Sequence, residues 1–346
     1  MGTIDIKSIT RKNILELSPY SSARDEFQGQ ANILMDANEN PFNTPLNRYP
    51  DPHQREVKKL IAGIVKLDEE SIFLGNGSDE AIDLLIRAFC EPGISNIISI
   101  DPSYGMYEVC ANINNVKFHK VLLNSDFTIN AKTLLQVTDS SSRIIFLCSP
   151  NNPTSNLLEY KSILKVVIDF PGLVVVDEAY IDFSSSKGMI DDIKNFNNLV
   201  VLRTFSKAWG MAGIRLGMAF ADKQIISILD KIKYPYNVSS LSQDAIIQLL
   251  THKNKHDEWI KTIISQREIL RNQLSGLSFV IEIFPSDANF LLVKTNNPTA
   301  IYNYLKDNGI IVRDRSKVSL CEGCLRITIG SPKENAELIN TLKNYR

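Results

Sequence analysis

The chain has 346 residues, 44% of them hydrophobic and 22% charged, with 38 basic against 39 acidic side chains and a formal net charge of -1. That composition excludes a mainly disordered chain, a collagen and a coiled-coil rod. The balanced charge argues against nucleic acid as a main partner, because binding to phosphate backbones usually draws on a basic excess.

A single core tends to stop growing near ~250–300 residues, so a large domain and a smaller one are expected. Residues 1–30 are polar and poorly periodic, ending near Tyr20-Ser21-Ser22-Ala23-Arg24, and read as an arm. They hold no hydrophobic signal core, and Ile6 breaks the myristoylation pattern. No apolar run approaches the ~20 residues that span a bilayer, so no membrane association is expected. Five cysteines, mostly scattered, suit a reducing compartment, and a cytoplasmic protein is expected.

From residue 31 to 254 short apolar runs (Ile97–Ile100, Ile144–Cys148, Leu173–Val176, Leu199–Leu202) alternate with helix-like stretches (Glu80–Phe89, Leu158–Ile168). The runs lack strict polar alternation, as strands buried on both faces do, so the pattern predicts an α/β domain with a mostly parallel central sheet flanked by helices. A charged helical stretch near Lys255 to Leu274 reads as a connector. The remainder to residue 346, with strands at Phe290–Val293 and Leu325–Ile329 and two helices, is assigned to a smaller α+β C-terminal domain.

Ligands of such sheets sit beyond the carboxyl ends of the strands, which directs attention to the residues just after each run. After Ile72-Phe73-Leu74 comes Gly75-Asn76-Gly77-Ser78-Asp79 and a helix, a turn whose amides suit a phosphate. Taken alone, it reads better as a glycine turn with Ser78 or Asp79 as helix cap. After Ile144–Cys148 comes Asn151-Asn152-Pro153-Thr154, where Asn152 offers an amide or simply completes a turn. After Leu173–Val176 comes Asp177-Glu178-Ala179-Tyr180. A carboxylate ending a buried strand needs a cation or strong donors, unless it only caps a helix. After Leu199–Leu202 come Thr204, Ser206, Lys207 and Arg215 among small and apolar residues. An ordinary lysine is solvated; apolar surroundings here would lower its pKa and make the amine nucleophilic. An anion cradle, an amide donor, an anionic acceptor and an activated lysine at one end of one sheet together suit pyridoxal 5'-phosphate.

These blocks, with Asn38-Glu39-Asn40-Pro41, Arg48-Tyr49-Pro50-Asp51-Pro52 and Gly323-Cys324-Leu325-Arg326-Ile327-Thr328, resemble the fold-type I pyridoxal-phosphate-dependent aminotransferases nearly end to end. The Tyr20 arm and the Arg326 block resemble the branch acting on histidinol phosphate. The resemblance implies that Lys207 carries the coenzyme, Asp177 pairs with its ring nitrogen, Tyr180 and Asn152 reach its phenolic oxygen, and Tyr104 stacks on its ring. Ser78, Asp79, Thr204, Ser206 and Arg215 would cradle its phosphate, Asp79 through backbone amides. Tyr49 would come from a neighbouring subunit, which implies a homodimer with shared sites. One departure is Ser155, where a glycine commonly succeeds the Asn-Pro-Thr turn.

The implied reaction exchanges an amino group between histidinol phosphate and 2-oxoglutarate, giving glutamate, in histidine biosynthesis. The site must then hold a phosphate ester in one half-reaction and carboxylates in the other, which arginine does well. Arg326, in an apolar strand, is the first candidate for that anion, Arg313 the second, and Tyr20 and Asn152 further substrate contacts; Arg313 reads equally as a solvated charge.

Rival readings are a threonine-phosphate decarboxylase or an aromatic aminotransferase on the same scaffold, a nucleotide-dependent enzyme using the Gly75–Asp79 turn, and a non-catalytic binding protein. Cys321 and Cys324 have metal-ligand spacing but no second pair, so free thiols and no metal are expected. His252 and His256 are flanked by lysines and read as a polar helix or turn. Trp209 and Met211 read as packing behind the lysine loop.

Overall fold

The computed structural model describes residues 4–20, 32–251 and 254–345. Among them, seven strands form one sheet: β1 (Ile72–Asn76), β2 (Asn96–Asp101), β3 (Lys117–Leu122), β4 (Ser142–Cys148), β5 (Leu173–Asp177), β6 (Leu199–Thr204) and β7 (Leu216–Phe220). Their spatial order is β1-β7-β6-β5-β4-β2-β3, and β7 alone runs against its neighbours β1 and β6. The later part of the chain forms a four-stranded antiparallel sheet: β8 (Val280–Ile283), β9 (Phe290–Thr295), β10 (Arg313–Asp314) and β11 (Cys324–Thr328), in the order β10-β11-β9-β8.

Both faces of the large sheet are covered, which explains the unbroken apolar runs. Within β4, Ile145 and Leu147 point into one core cluster and Ile144 and Phe146 into the other. Val174 and Val176 of β5 likewise part from Leu173 and Val175. Helices Ser78–Phe89 and Met106–Ile113 cover one face, while Arg55–Val65 and Tyr160–Asp169 cover the opposite one. A separate cluster lies on one face of the small sheet, where Leu291, Val293, Leu325 and Ile327 meet Leu270 and Leu274 from the Asn254–Ser275 helix.

Strands β3, β7, β8 and β10 were not legible in the sequence. β3 lies at the sheet edge with mostly half-buried or exposed residues and shows no buried apolar run, whereas β7 is buried throughout but its small Gly217 and Ala219 break the run of bulky residues that marks the other strands. The arm expected over residues 1–30 partly packs: Ile6 is buried in the large core, and the Asn197 side chain clamps Ile4, accepting from its N–H at 3.1 Å and donating to its carbonyl at 2.7 Å. Ser21, Ser22, Ala23 and Arg24 lie outside the described residues, as does His252. No helix among the described residues is long and apolar enough to cross a membrane.

Candidate active site

The carboxyl ends of β1, β2, β4, β5 and β6 open on one cleft, lined by Gly77, Ser78, Asp79, Tyr104, Cys148, Asn152, Asp177, Ala179, Tyr180, Thr204, Ser206, Lys207 and Arg215. Sequence-distant blocks thus meet because parallel strands deliver their succeeding loops to the same edge.

At one end lies the turn between β1 and the Ser78–Phe89 helix. The helix begins at Ser78, two residues earlier than the apolar pattern suggests. Its N-cap is Gly77, with no side-chain cap, so the expectation of Ser78 or Asp79 as the capping residue is corrected. Gly77 has φ +74°, and its N–H donates to the Arg215 carbonyl at 2.9 Å. A Cβ at Gly217, the residue paired with Gly75 across β1 and β7, would stand 2.1 Å from the Ser78 nitrogen. Only glycine lets the helix start come this close to the strand that begins just after Arg215. Arg215 lies at the same turn, its guanidinium 3.8 Å from Asp79. The Asp79 carboxylate is also engaged by the Tyr104 hydroxyl at 3.1 Å, which leaves a helix N-terminus and a guanidinium as the anion-binding features of this end.

At the other end is Asp177, the last residue of β5 and only 3% exposed. One oxygen accepts the Ala179 N–H at 3.1 Å and the other the Tyr107 hydroxyl at 2.7 Å. Burial pushes its carboxyl up to about 6, while the Tyr107 and Ala179 hydrogen bonds oppose that. It forms no ion pair among the described residues, although a carboxylate this deep calls for a cation.

Between the two ends stands Lys207. Burial lowers its pKa, the nearby Arg326 and Arg215 charges push the same way, and Asp177 and Asp79 oppose them. Its Nζ lies 5.6 Å from the centre of the Tyr180 ring. The Tyr180 hydroxyl is 3.5 Å from the Asn152 amide nitrogen. Thr204 closes β6 and accepts the Ser206 N–H at 3.1 Å, shaping the turn into Lys207. Trp209 and Met211 pack against the core behind this turn, Trp209 stacked on His256 at 3.6 Å.

The small sheet supplies Arg326. Its Nη1 donates to Asn152 Oδ1 at 2.5 Å, and its guanidinium lies 5.3 Å from the Phe290 ring centre. Arg313 pairs with Arg326 across β10 and β11 but is exposed. Arg315, passed over in the sequence, is half-buried, and its Nε is buried without a hydrogen-bond partner. Tyr20 is 72% exposed and is not brought to the cleft within this chain. Tyr49 is half-exposed and stacks on Tyr236 at 4.4 Å. Tyr107 was also missed. Its one sequence signal is a hydroxyl three residues after Tyr104, at the start of a mostly apolar helix.

Ser155 adopts φ +67° and is fully buried. Its hydroxyl donates to the Thr154 and Pro285 carbonyls at 2.6 and 3.1 Å, and its own carbonyl accepts the Asp287 N–H at 2.8 Å. The departure from glycine thus ties the Asn152 turn to the segment leading into β9.

The donor set fits pyridoxal 5'-phosphate: a helix N-terminus with Arg215 for the phosphate, a buried carboxylate lacking an ion partner for a ring N–H, and a desolvated lysine between them. Residues 26–342 match the family model for aminotransferase class I and II. The chain is 53% identical over 342 residues to a histidinol-phosphate aminotransferase of Parabacteroides distasonis, covering 99% of each chain. The crystal structure of histidinol-phosphate aminotransferase from Clostridium acetobutylicum superposes with a TM-score of 0.80 at 27% identity, over 86% of this chain and 90% of that one. L-threonine-O-3-phosphate decarboxylase from Porphyromonas gingivalis superposes with a TM-score of 0.74 at 27% identity, over 86% and 93%. The chain belongs to the class I and II aminotransferase family.

Proposed function

We propose that this enzyme transfers the amino group of L-histidinol phosphate to 2-oxoglutarate, giving imidazole-acetol phosphate and L-glutamate, in cytoplasmic histidine biosynthesis. The observation that carries the reading is the convergence of Lys207, Asp177 and the Gly77–Asp79 turn with Arg215 in one cleft, together with the name borne by a relative 53% identical along its whole length.

Bound pyridoxal 5'-phosphate supplies an electron sink, a protonated pyridine conjugated to the carbon that exchanges the amino group. Lys207 holds the coenzyme through its amine. With substrate bound, the free amine would act as the general base that takes the proton from the amino-bearing substrate carbon. A lowered lysine pKa favours this role, since the neutral amine is the base. Asp177 accepts a hydrogen bond from the ring nitrogen and keeps it protonated. Tyr180 and Asn152 would hold the ring's phenolic oxygen, Tyr104 would lie against the ring, and Ser78, Asp79 (through its amide), Thr204, Ser206 and Arg215 would bind the phosphate. Arg326 binds the substrate phosphate and then the 2-oxoglutarate carboxylate, Arg313 adds positive charge beside it, and Tyr20 supplies a hydroxyl from the arm.

The working unit in this reading is a homodimer in which Tyr49 completes the neighbour's site. Ile33, Met35 and Phe42, which are 77, 91 and 77% exposed in the segment before Tyr49, are large apolar side chains that a second subunit would cover.

Addition of histidinol phosphate to the coenzyme-loaded protein should bleach the coenzyme's visible band, and 2-oxoglutarate should restore it. A band untouched by histidinol phosphate but responsive to phenylalanine, or carbon dioxide released from threonine phosphate, would replace this substrate with a rival.

A further inference from the structure

Asp177 has a buried hydroxyl partner that the chemistry above does not use. Tyr107 lies in the first turn of the Met106–Ile113 helix with 0% exposure. Its ring stacks on Phe146 of β4, centroids 4.6 Å apart and 10° between planes, and meets the Tyr104 ring edge-on at 5.5 Å and 86°. Clamped in this way, the ring has little freedom to turn, and its hydroxyl donates to Asp177 Oδ2 at 2.7 Å. We propose that Tyr107 is a positioning residue of the reaction, holding the Asp177 carboxylate charged and aimed at the ring nitrogen through this buried hydrogen bond.

The inference rests on the coenzyme chemistry proposed above, but its physics belongs to the chain itself. A phenol donates to a carboxylate; a protonated carboxyl is a weaker acceptor and brings a competing proton. The bond therefore favours the ionised form, against burial. The other groups facing Asp177 are the Cys148 thiol, the Asp79 carboxylate, the Lys207 amine and the Tyr104 and Tyr180 hydroxyls. Lys207 favours the charged carboxylate and Asp79 disfavours it, whereas Ala179 fixes only the second oxygen through its N–H. Burial already lifts Asp177 to about 6, so losing the Tyr107 donor moves its titration toward neutral pH, where an uncharged carboxyl no longer holds a pyridinium. The stacking on Phe146 and the contact with Tyr104 also fix the direction from which the donor arrives, which orients the carboxylate as well as charging it.

The test compares wild type, Tyr107→Phe and a protein with 3,5-difluorotyrosine installed at position 107, a stronger donor of nearly the same shape. The coenzyme-free form is read by carboxyl NMR titration of Asp177, assigned with Asp177→Asn; the holoenzyme by its visible spectrum and by kcat and KM against pH. Tyr107→Phe should move the Asp177 titration and the acid limb of kcat to higher pH and lower kcat at pH 7 by roughly tenfold, with both KM values within about twofold. Difluorotyrosine should move the Asp177 titration and the acid limb to lower pH. In an Asp177→Asn background, the Tyr107→Phe change should have no further effect on kcat. A Tyr107→Phe enzyme with wild-type titration, spectrum and pH profile and only a lower melting temperature would overturn the proposal. If that variant fails to fold, an unmoved difluorotyrosine profile overturns it instead. A wild-type protein that takes up no coenzyme would refute the function above, while the coenzyme-free titration would still decide the role of Tyr107.

Discussion

The proposed coenzyme half of the cleft hangs from the strand ends of a single sheet, whereas the proposed substrate-anion half reaches it from a second sheet. In the first, Asp177, Lys207, Arg215 and the Ser78 turn are each within a few residues of a hydrogen-bonded strand, and Gly217 brings two of these turns into backbone contact. In the second, Arg326 meets the large sheet's turn through one hydrogen bond to Asn152, reinforced where Ser155 bonds to Pro285 and Asp287. Rigid placement suits the coenzyme, which stays through both half-reactions. A lightly tethered guanidinium suits the two anions of different shape that Arg326 is proposed to bind in turn.

The comparison breaks first at its covalent anchor. Lys207→Ala should cut turnover by at least ~10⁴-fold, removing both the attachment and the base, and borohydride-trapped coenzyme should no longer map to the 207 peptide. Near-normal steady-state rates in that variant would refute the coenzyme half outright.

Asp177→Asn should lower kcat by ~10²–10³-fold through loss of ring protonation. Its effect on stability has the opposite sign. Asp177's folded pKa is raised from 3.8 to about 6, so the folded protein binds this proton more tightly than the unfolded chain does. Stability from this group is present below the unfolded value and falls as pH rises through about 6. At pH 7 the coenzyme-free variant should therefore be more stable than wild type by about 2–3 kcal/mol, measured by urea unfolding, and this gain should vanish near pH 4.

On the anion side, Arg326→Ala should raise KM for histidinol phosphate and for 2-oxoglutarate alike by about 10–100-fold, with a smaller change in kcat. An effect confined to 2-oxoglutarate would break the idea of one arginine for two anions. Arg313→Ala should cost less, up to about fivefold in KM and less at high salt, because an exposed charge is screened. The smallest effect belongs to the tether. Ser155→Gly relieves a left-handed serine but loses its hydroxyl bonds, so stability should change by no more than about 1 kcal/mol in thermal melts.

Residues whose chemistry comes directly after a strand were the legible ones. The buried runs of β4, β5 and β6 end at or just before Asn152, Asp177 and Thr204, so the pattern that predicted the sheet also located those side chains at its edge. The resemblance then supplied roles that spacing left open, such as Tyr104 on the ring face. Tyr107 and Arg315 were missed because each reads as ordinary in sequence, one a core aromatic in an apolar helix and the other a charge in an Arg-Asp-Arg run. Gly77 looked like a turn residue, and the need for it and for Gly217 became visible only as distances to Arg215 and Ser78.

By itself the sequence determined the α/β class and the family and singled out Lys207 as a candidate, because hydrophobic periodicity and short motifs are local properties of a chain. Only the tertiary structure decided that Asp177 carries a tyrosine donor, that Arg326 rather than Arg313 reaches Asn152, and that β7 runs against its neighbours to bring Arg215 to the Ser78 turn. Those outcomes depend on which strands pair and which faces meet, energies set by contacts between residues tens to more than a hundred positions apart, and no window along the chain contains them.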